Sequence, residues 1–331
     1  MSNNHSTFLG VLFGMLAGAT WALAFLIPNM LSNFSSLEIT LGRYLMYGLY
    51  SLLFFMAFKK RTDHIPLRIW ARALLYAFIG NVGYFFFLVL GIQYAGITVT
   101  TLIIGTLPIL ISVIGNLWNR EFPFKIMVFP ACSILLGIFL LYGSEQRDSS
   151  SVATSSSNFL LGFLFCFIAL TLWTWYGVSN ANFLKKESQV SANLFSTMVG
   201  MQTLTLVLLV LVISWLTNQQ IVSNLLAKDH LMSYLIGIIV LGIVASWVAT
   251  WAWNQTSIRL TVSMAGMMIV FESLFGLLYS FIYQLSFPSI WESISIFFII
   301  AGVSFGIWRI NKEKISEHKL YSETHSFEDT L

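Results

Sequence analysis

The chain has 331 residues, 57% of them hydrophobic and only 9% charged, with a mean hydropathy of +0.80. Soluble globular domains carry about 25% charged residues, so this composition excludes one. The formal net charge of +3 sits in loops and the C-terminal tail, and no nucleic-acid partner is implied.

Between clusters of charge run apolar stretches of about the 20 residues that a bilayer-crossing helix needs. They do not alternate as the short strands of a membrane barrel would. The expected fold class is therefore all-α integral membrane, with the lipid bilayer as its surroundings. Ten transmembrane helices fit, at 8–29, 37–58, 70–91, 97–117, 126–143, 159–181, 191–216, 231–253, 261–283 and 290–309. The first lacks a basic n-region and further spans come directly after it, so it reads as a retained helix rather than a cleaved signal. The loop 144–158 is serine-rich and reads as a flexible linker. Beyond Arg309 the tail is charged, lacks apolar periodicity and reads as mobile.

In chain order, the first span carries Gly10, Gly14 and Gly18, a small-xxx-small face that lets helices approach closely or slide during gating. Trp21 comes next. In the second span Glu38 and Arg43 stand at i and i+5, do not share a face and should find separate partners; Arg43 reads as a structural ion pair or gating residue. The third span offers Asn81 and Tyr84. On the fourth, Thr98, Thr101, Gly105 and Pro108 fall on one face, and proline there frees a carbonyl that needs protein or water nearby. The sixth carries Trp173, Tyr176 and Asn180 on one face, and the eighth Ser246, Trp247, Thr250, Trp251, Trp253 and Asn254. Tryptophans near span ends, such as Trp70, Trp118, Trp215, Trp291 and Trp308, read as interfacial belts. Trp21, Trp173 and Trp251 sit deeper or beside polar neighbours and read as cavity walls. The ninth span places Met264, Met268 and Glu272 at i, i+4 and i+8. A carboxylate at the centre of a bilayer helix costs several kcal/mol unless it faces a partner or water, so Glu272 marks a solute pathway or pairs between helices. Cys132 and Cys166 both lie within spans and all five histidines lie in loops or termini, so neither a disulfide framework nor a metal site is expected.

Lysine and arginine set the orientation. Even-numbered loops and the tail hold 14 of the 17, odd-numbered loops hold Arg147 and Lys228, and Arg43 lies within a span. By the positive-inside rule both termini are cytoplasmic. A repeat is also visible. Adding 152 maps Gly10, Phe13, Ala17 and Trp21 onto Gly162, Phe165, Ala169 and Trp173; adding 165 maps Pro108, Phe122-Pro123 and Gly137 onto Ser273, Phe287-Pro288 and Gly302. Five spans per half force the second half to insert upside down, an arrangement suited to alternating access. The first-half counterparts of Met264, Met268 and Glu272 are Val99, Ile103 and Leu107, so the acid exists in one half alone.

With Arg43 in the second span, Pro108 followed by Glu121, and the run from Trp253 through Glu272, the chain resembles the drug/metabolite transporter superfamily. The likeness is to its ten-span bacterial EamA-type branch, which includes aromatic amino-acid exporters. It departs from that pattern at Ser273, where the family has proline after the acid, and at Ser286, where the second-half acid would fall. The resemblance implies a first repeat over 1–143, a linker over 144–158, a second repeat over 159–309 and a cytoplasmic tail over 310–331. It also implies a central cavity between the halves and a bacterial inner membrane.

The expected function is secondary transport of small amphipathic metabolites, amino acids or amines, in the direction of export. Glu272 would hold a substrate ammonium or exchange a proton as coupling ion. Trp21, Asn81, Tyr84, Thr101, Trp173, Tyr176, Trp247, Trp251, Met264 and Met268 would complete the binding wall, and Gly14, Gly18, Arg43 and Pro108 would gate or support it. The alternative is a quaternary ammonium or lipophilic cation held among the tryptophans. No Gly-rich phosphate loop is present, so no nucleotide cofactor is expected. A membrane-embedded enzyme would need a nucleophile and base or a metal set at close quarters, and the spans offer neither.

Overall fold

The computed structural model describes residues 2–31, 33–57, 65–95, 100, 103–148, 156–217, 225, 229–285 and 287–328, and every regular element among them is helical. In chain order these are α1 (Ser2–Met30), α2 (Ser36–Ala57), α3 (Leu67–Tyr76), a π-helical segment π1 (Ala77–Gly83), α4 (Tyr84–Ala95), α5 (Leu107–Asn119) and α6 (Lys125–Asp148). Then come α7 (Ser156–Lys186), α8 (Ala192–Leu216), α9 (Leu231–Ile239), a second π-segment π2 (Val240–Val248), α10 (Ala249–Arg259), α11 (Val262–Met268), α12 (Val270–Gln284) and α13 (Ile290–Glu328). The segments α3–π1–α4 and α9–π2–α10 are each one continuous rod.

Eight described runs are long and apolar enough to cross a bilayer; α5 and the apolar part of α6, Lys125–Leu140, are shorter. The fourth segment falls short because its helix breaks at Gly105–Thr106, just before Pro108, whose missing N–H cannot continue the ladder. Large apolar side chains face outward all round, among them Leu53, Phe139, Phe297 and Leu161, a surface suited to lipid rather than water. The tail departs from expectation: α13 runs unbroken to Glu328, since neither proline nor glycine interrupts the chain after Gly306. Likewise α6 continues through Asp148 into the stretch read as linker.

The packed pairs obey a pattern. Rod α9–π2–α10 lies along α1, as rod α3–π1–α4 lies along α7; α2 packs on α8, α5 on α11 and α6 on α13. Exchanging the first five segments with the last five maps this set of pairs onto itself. Individual contacts obey the same exchange. A side chain on Gly137 would strike Ile299 and the Ser295 carbonyl, and one on Gly302 would strike Ile134 and the Pro130 carbonyl. Each set is the other's shifted by 165, and Ser133 Oγ donates to the carbonyl of its own counterpart, Phe298, at 2.7 Å. Reciprocal contacts of this kind are what a local two-fold axis produces.

Candidate functional site

Two kinds of irregular helix converge at the centre. The first is the π-segment. Its extra residue per turn breaks the usual ladder and leaves carbonyls without their i+4 donors, which are costly in lipid unless satisfied. Side chains satisfy them. Arg43 on α2 donates from Nε to Ser246 Oγ at 2.9 Å and from Nη2 to the Ala245 carbonyl at 3.1 Å. Ser246 Oγ in turn donates to the Leu241 carbonyl at 2.9 Å. In π1 the Asn81 carbonyl accepts from Tyr44 at 3.4 Å, and Asn81 Nδ2 donates to Thr203 Oγ1 on α8 at 2.9 Å. Shifting π1 by 165 places it at 242–248, inside π2. Arg43 is thus anchored to π2, not to a carboxylate; the ion pair expected from sequence gives way to orphaned carbonyls that the one-dimensional pattern does not show. Glu38 closes a capping box at the start of α2, accepting from Ser35 N at 2.6 Å.

The second irregularity is the helix break. The ninth segment stops at Met268 and restarts at Val270, with single-turn bonds from Ile269 N to Gly266 O and from Glu272 N to Ile269 O. The fourth breaks at Gly105–Thr106, where Thr106 Oγ1 donates to Ile103 O at 2.6 Å. Glu272 therefore lies in the first turn of α12, just past a step of tighter helical turns at Ile269 whose backbone stays helical (φ −62°, ψ −26°). The break also corrects the expected Met264–Met268–Glu272 stripe. Both methionines are buried, and a side chain on Gly14 of α1 would strike Met268. Glu272 is only half-buried. Tyr84 shares that setting, and Arg43 and Tyr84 both lie within electrostatic reach of Glu272.

One turn along α1 from Gly18, where a side chain would strike Glu272 N, stands an aromatic cluster. The Trp21, Trp173 and Trp253 rings lie 5.7, 5.7 and 5.9 Å apart, centroid to centroid. Trp21 and Trp173 are repeat counterparts. Tyr84 and Tyr176 flank Trp173 at 6.2 and 5.7 Å. Trp253 is 1% exposed and its indole N–H has no partner. Below it Asn180 donates to Asn254 Oδ1, and Asn254 to Ser196 Oγ, both at 2.8 Å.

The structure does not bring two predicted tryptophans into this cluster. Trp247 packs on Tyr50 and Phe54 of α2. Trp251 stacks on Phe13 at 5.3 Å and donates to Asn193 Oδ1 at 2.5 Å, toward the end of the rod that carries Arg259. Trp253, not Trp251, takes the expected place in the cluster. The stripe Thr250, Trp253, Asn254 and Ser257, all buried, is the signal that would have found it. Thr101 lies outside the described residues. Pro108 sits in the first turn of α5, its carbonyl accepting from Ser112 Oγ at 2.6 Å. Two concavities flank the broken fourth segment, of about 10 Å³ beside Pro108 and about 330 Å³ beside Thr106, and neither is lined by Glu272.

Residues 8–143 match the EamA-like transporter family. Over 317 residues the chain is 28% identical to the inner membrane protein YtfF of Escherichia coli (strain K12), covering 92% of this chain and 96% of that protein. A solved crystal structure superposes with a TM-score of 0.72 over 92% of this chain and 98% of its own, at 18% identity, which shows a shared fold alone. Residues 8–143 are thus similar to the EamA-like transporter family, and the chain over most of its length is similar to an inner membrane protein.

Proposed function

We propose that the chain exports small amphipathic metabolites, amino acids or amines, by alternating access between two inverted five-span halves. The carrying observation is Glu272: a half-buried carboxylate in the first turn of α12, packed at Gly18 of α1, one turn before Trp21 of the tryptophan cluster. The matched contacts of Gly137 with Ile299 and of Gly302 with Ile134, and the Trp21–Trp173 pair, support halves related by exchange. The likeness to an inner membrane protein supports that location, with the lysine- and arginine-rich loops and both termini on the cytoplasmic side. In this reading Glu272 binds the substrate ammonium or carries the coupling proton. The tryptophan cluster supports a second occupant, a quaternary ammonium that lacks N–H donors.

Counter-flow of radiolabelled amino acids and amines in proteoliposomes tests the reading. Glu272→Gln abolishes binding at every pH if the carboxylate holds the ammonium, and removes only the pH dependence of transport if it carries the proton. Counter-flow of no amine, amino acid or quaternary ammonium by the wild type would refute it.

A further inference from the structure

Glu121 lies just past the end of α5, on the side of the molecule that carries the lysine- and arginine-rich loops. The chain leaves α5 through Arg120, whose left-handed backbone (φ 50°) turns it sharply, and Phe122 N donates to Asn116 Oδ1 at 3.1 Å to hold that turn. The turn aims the Glu121 carboxylate at the start of α11. Oε1 accepts from Val262 N at 2.7 Å and Oε2 from Ser263 N at 3.0 Å. Thr261 already caps Met264 N, at 3.2 Å. Two charge-assisted bonds on the free amides of a helix start form a strong polar contact, and this one joins the first half of the chain to the second. A second contact lies deeper, where Ser112 Oγ stands 2.8 Å from the Ser263 carbonyl and shares its single proton between that carbonyl and the Pro108 carbonyl. Gly115 lets the two helices close, since a side chain there would strike Val262.

The repeat makes the contact one-sided. Position 121 shifted by 165 is Ser286, next to Phe287-Pro288 as Glu121 is next to Phe122-Pro123. A serine hydroxyl cannot accept two amides with a delocalised negative charge.

We propose that Glu121 is a latch. Its carboxylate holds the ends of α5 and α11 together on the basic side, and opening on that side requires its release. The counterpart position 286 holds a serine rather than an acid, so the resting balance favours closure on the basic side. Glu121 also positions Glu272, because α11 is the arm that leads into the break at Ile269. The gating part rests on the alternating-access reading above; the clamp itself does not.

The test is a pair of variants read by distance. Spin labels at Leu117→Cys on α5 and Ile258→Cys on α10, both exposed positions, report the separation on the basic side in lipid nanodiscs, with Cys132→Ser removing the exposed native thiol. Glu121→Gln removes the charge. Val262→Pro removes one amide from the partner, at a first-turn position where proline is tolerated, and Thr261 already has the extended backbone that precedes proline (φ −64°, ψ 160°). Both variants should add a longer-distance population and raise the open-to-closed ratio roughly tenfold. Distributions matching the wild type in folded, monodisperse variants would overturn the latch, and so would failure of both to fold, which would make the clamp purely structural. Counter-flow in the same preparations is read separately. Shifted distances without any wild-type transport would sink the proposed function and leave the latch; intact transport with unshifted distances would do the reverse.

Discussion

Gly18 offers the sharpest test of how α1 meets the broken ninth segment. A Cβ at this position would lie 2.7 Å from Phe271 Cβ and 2.8 Å from both Phe271 C and Glu272 N. Ordinary contact begins at 3.4 Å, so the shortfall against the nearest atom is 3.4 − 2.7 = 0.7 Å. Two of the three atoms are backbone and cannot rotate aside. Gly18→Ala must therefore push α1 away from the turn that bears Glu272. Overpacking of this kind costs about 1–3 kcal/mol, while alanine returns up to about 1 kcal/mol of helix propensity. The net expectation is a loss of about 1–2 kcal/mol in stability and a clear fall in transport. Gly10→Ala is the control. It meets Leu260 Cδ2 and Cγ and Arg259 Cβ, side-chain atoms rather than backbone, so it should cost less than Gly18→Ala. Thermal unfolding in micelles and counter-flow in vesicles read both variants. If Gly18→Ala matches wild type on both measures, or Gly10→Ala proves the worse, the close approach of α1 to the break is refuted.

Arg43→Gln should lower stability by about 1–3 kcal/mol, because the Ala245 carbonyl of π2 loses its donor inside the membrane. Combined with Ser246→Ala, whose hydroxyl shares that anchor, the loss should be less than the sum of the two, measured by a double-mutant cycle. Trp253→Phe breaks no hydrogen bond, since its indole N–H has no partner. It should weaken substrate binding, read by equilibrium titration, more than Trp251→Phe, which loses only the bond to Asn193 on the far side of the rod; the reverse order would place the binding wall elsewhere.

Sequence periodicity reaches the fold more readily than the site. Apolar runs of bilayer length mark the segments because composition alone decides which helices can sit in lipid. The 165 shift reaches contacts such as Gly137 against Ile299, because glycines recur wherever two backbones touch. What it misses is irregular. The rod that contains π2 turns Trp253, rather than Trp251, into the aromatic cluster. A one-residue break at Ile269 separates Met268 from Glu272, though their spacing suits one helical face. Glu121 shows itself in sequence only as an acid after a turn. Its partners are backbone amides 141 and 142 residues away, and amides leave no trace in a side-chain pattern.

The measurement closest to the central claim is the reactivity of Glu272→Cys toward a small, water-soluble, membrane-impermeant thiol reagent in vesicles, against Leu278→Cys on the outward face of the same helix. With Cys132→Ser as background, Glu272→Cys should react readily and Leu278→Cys should not, and bulky amines should slow the reaction if they bind there. Reaction at Leu278→Cys but not at Glu272→Cys would mean that the carboxylate position is sealed from water, contradicting an aqueous path through the centre of the molecule.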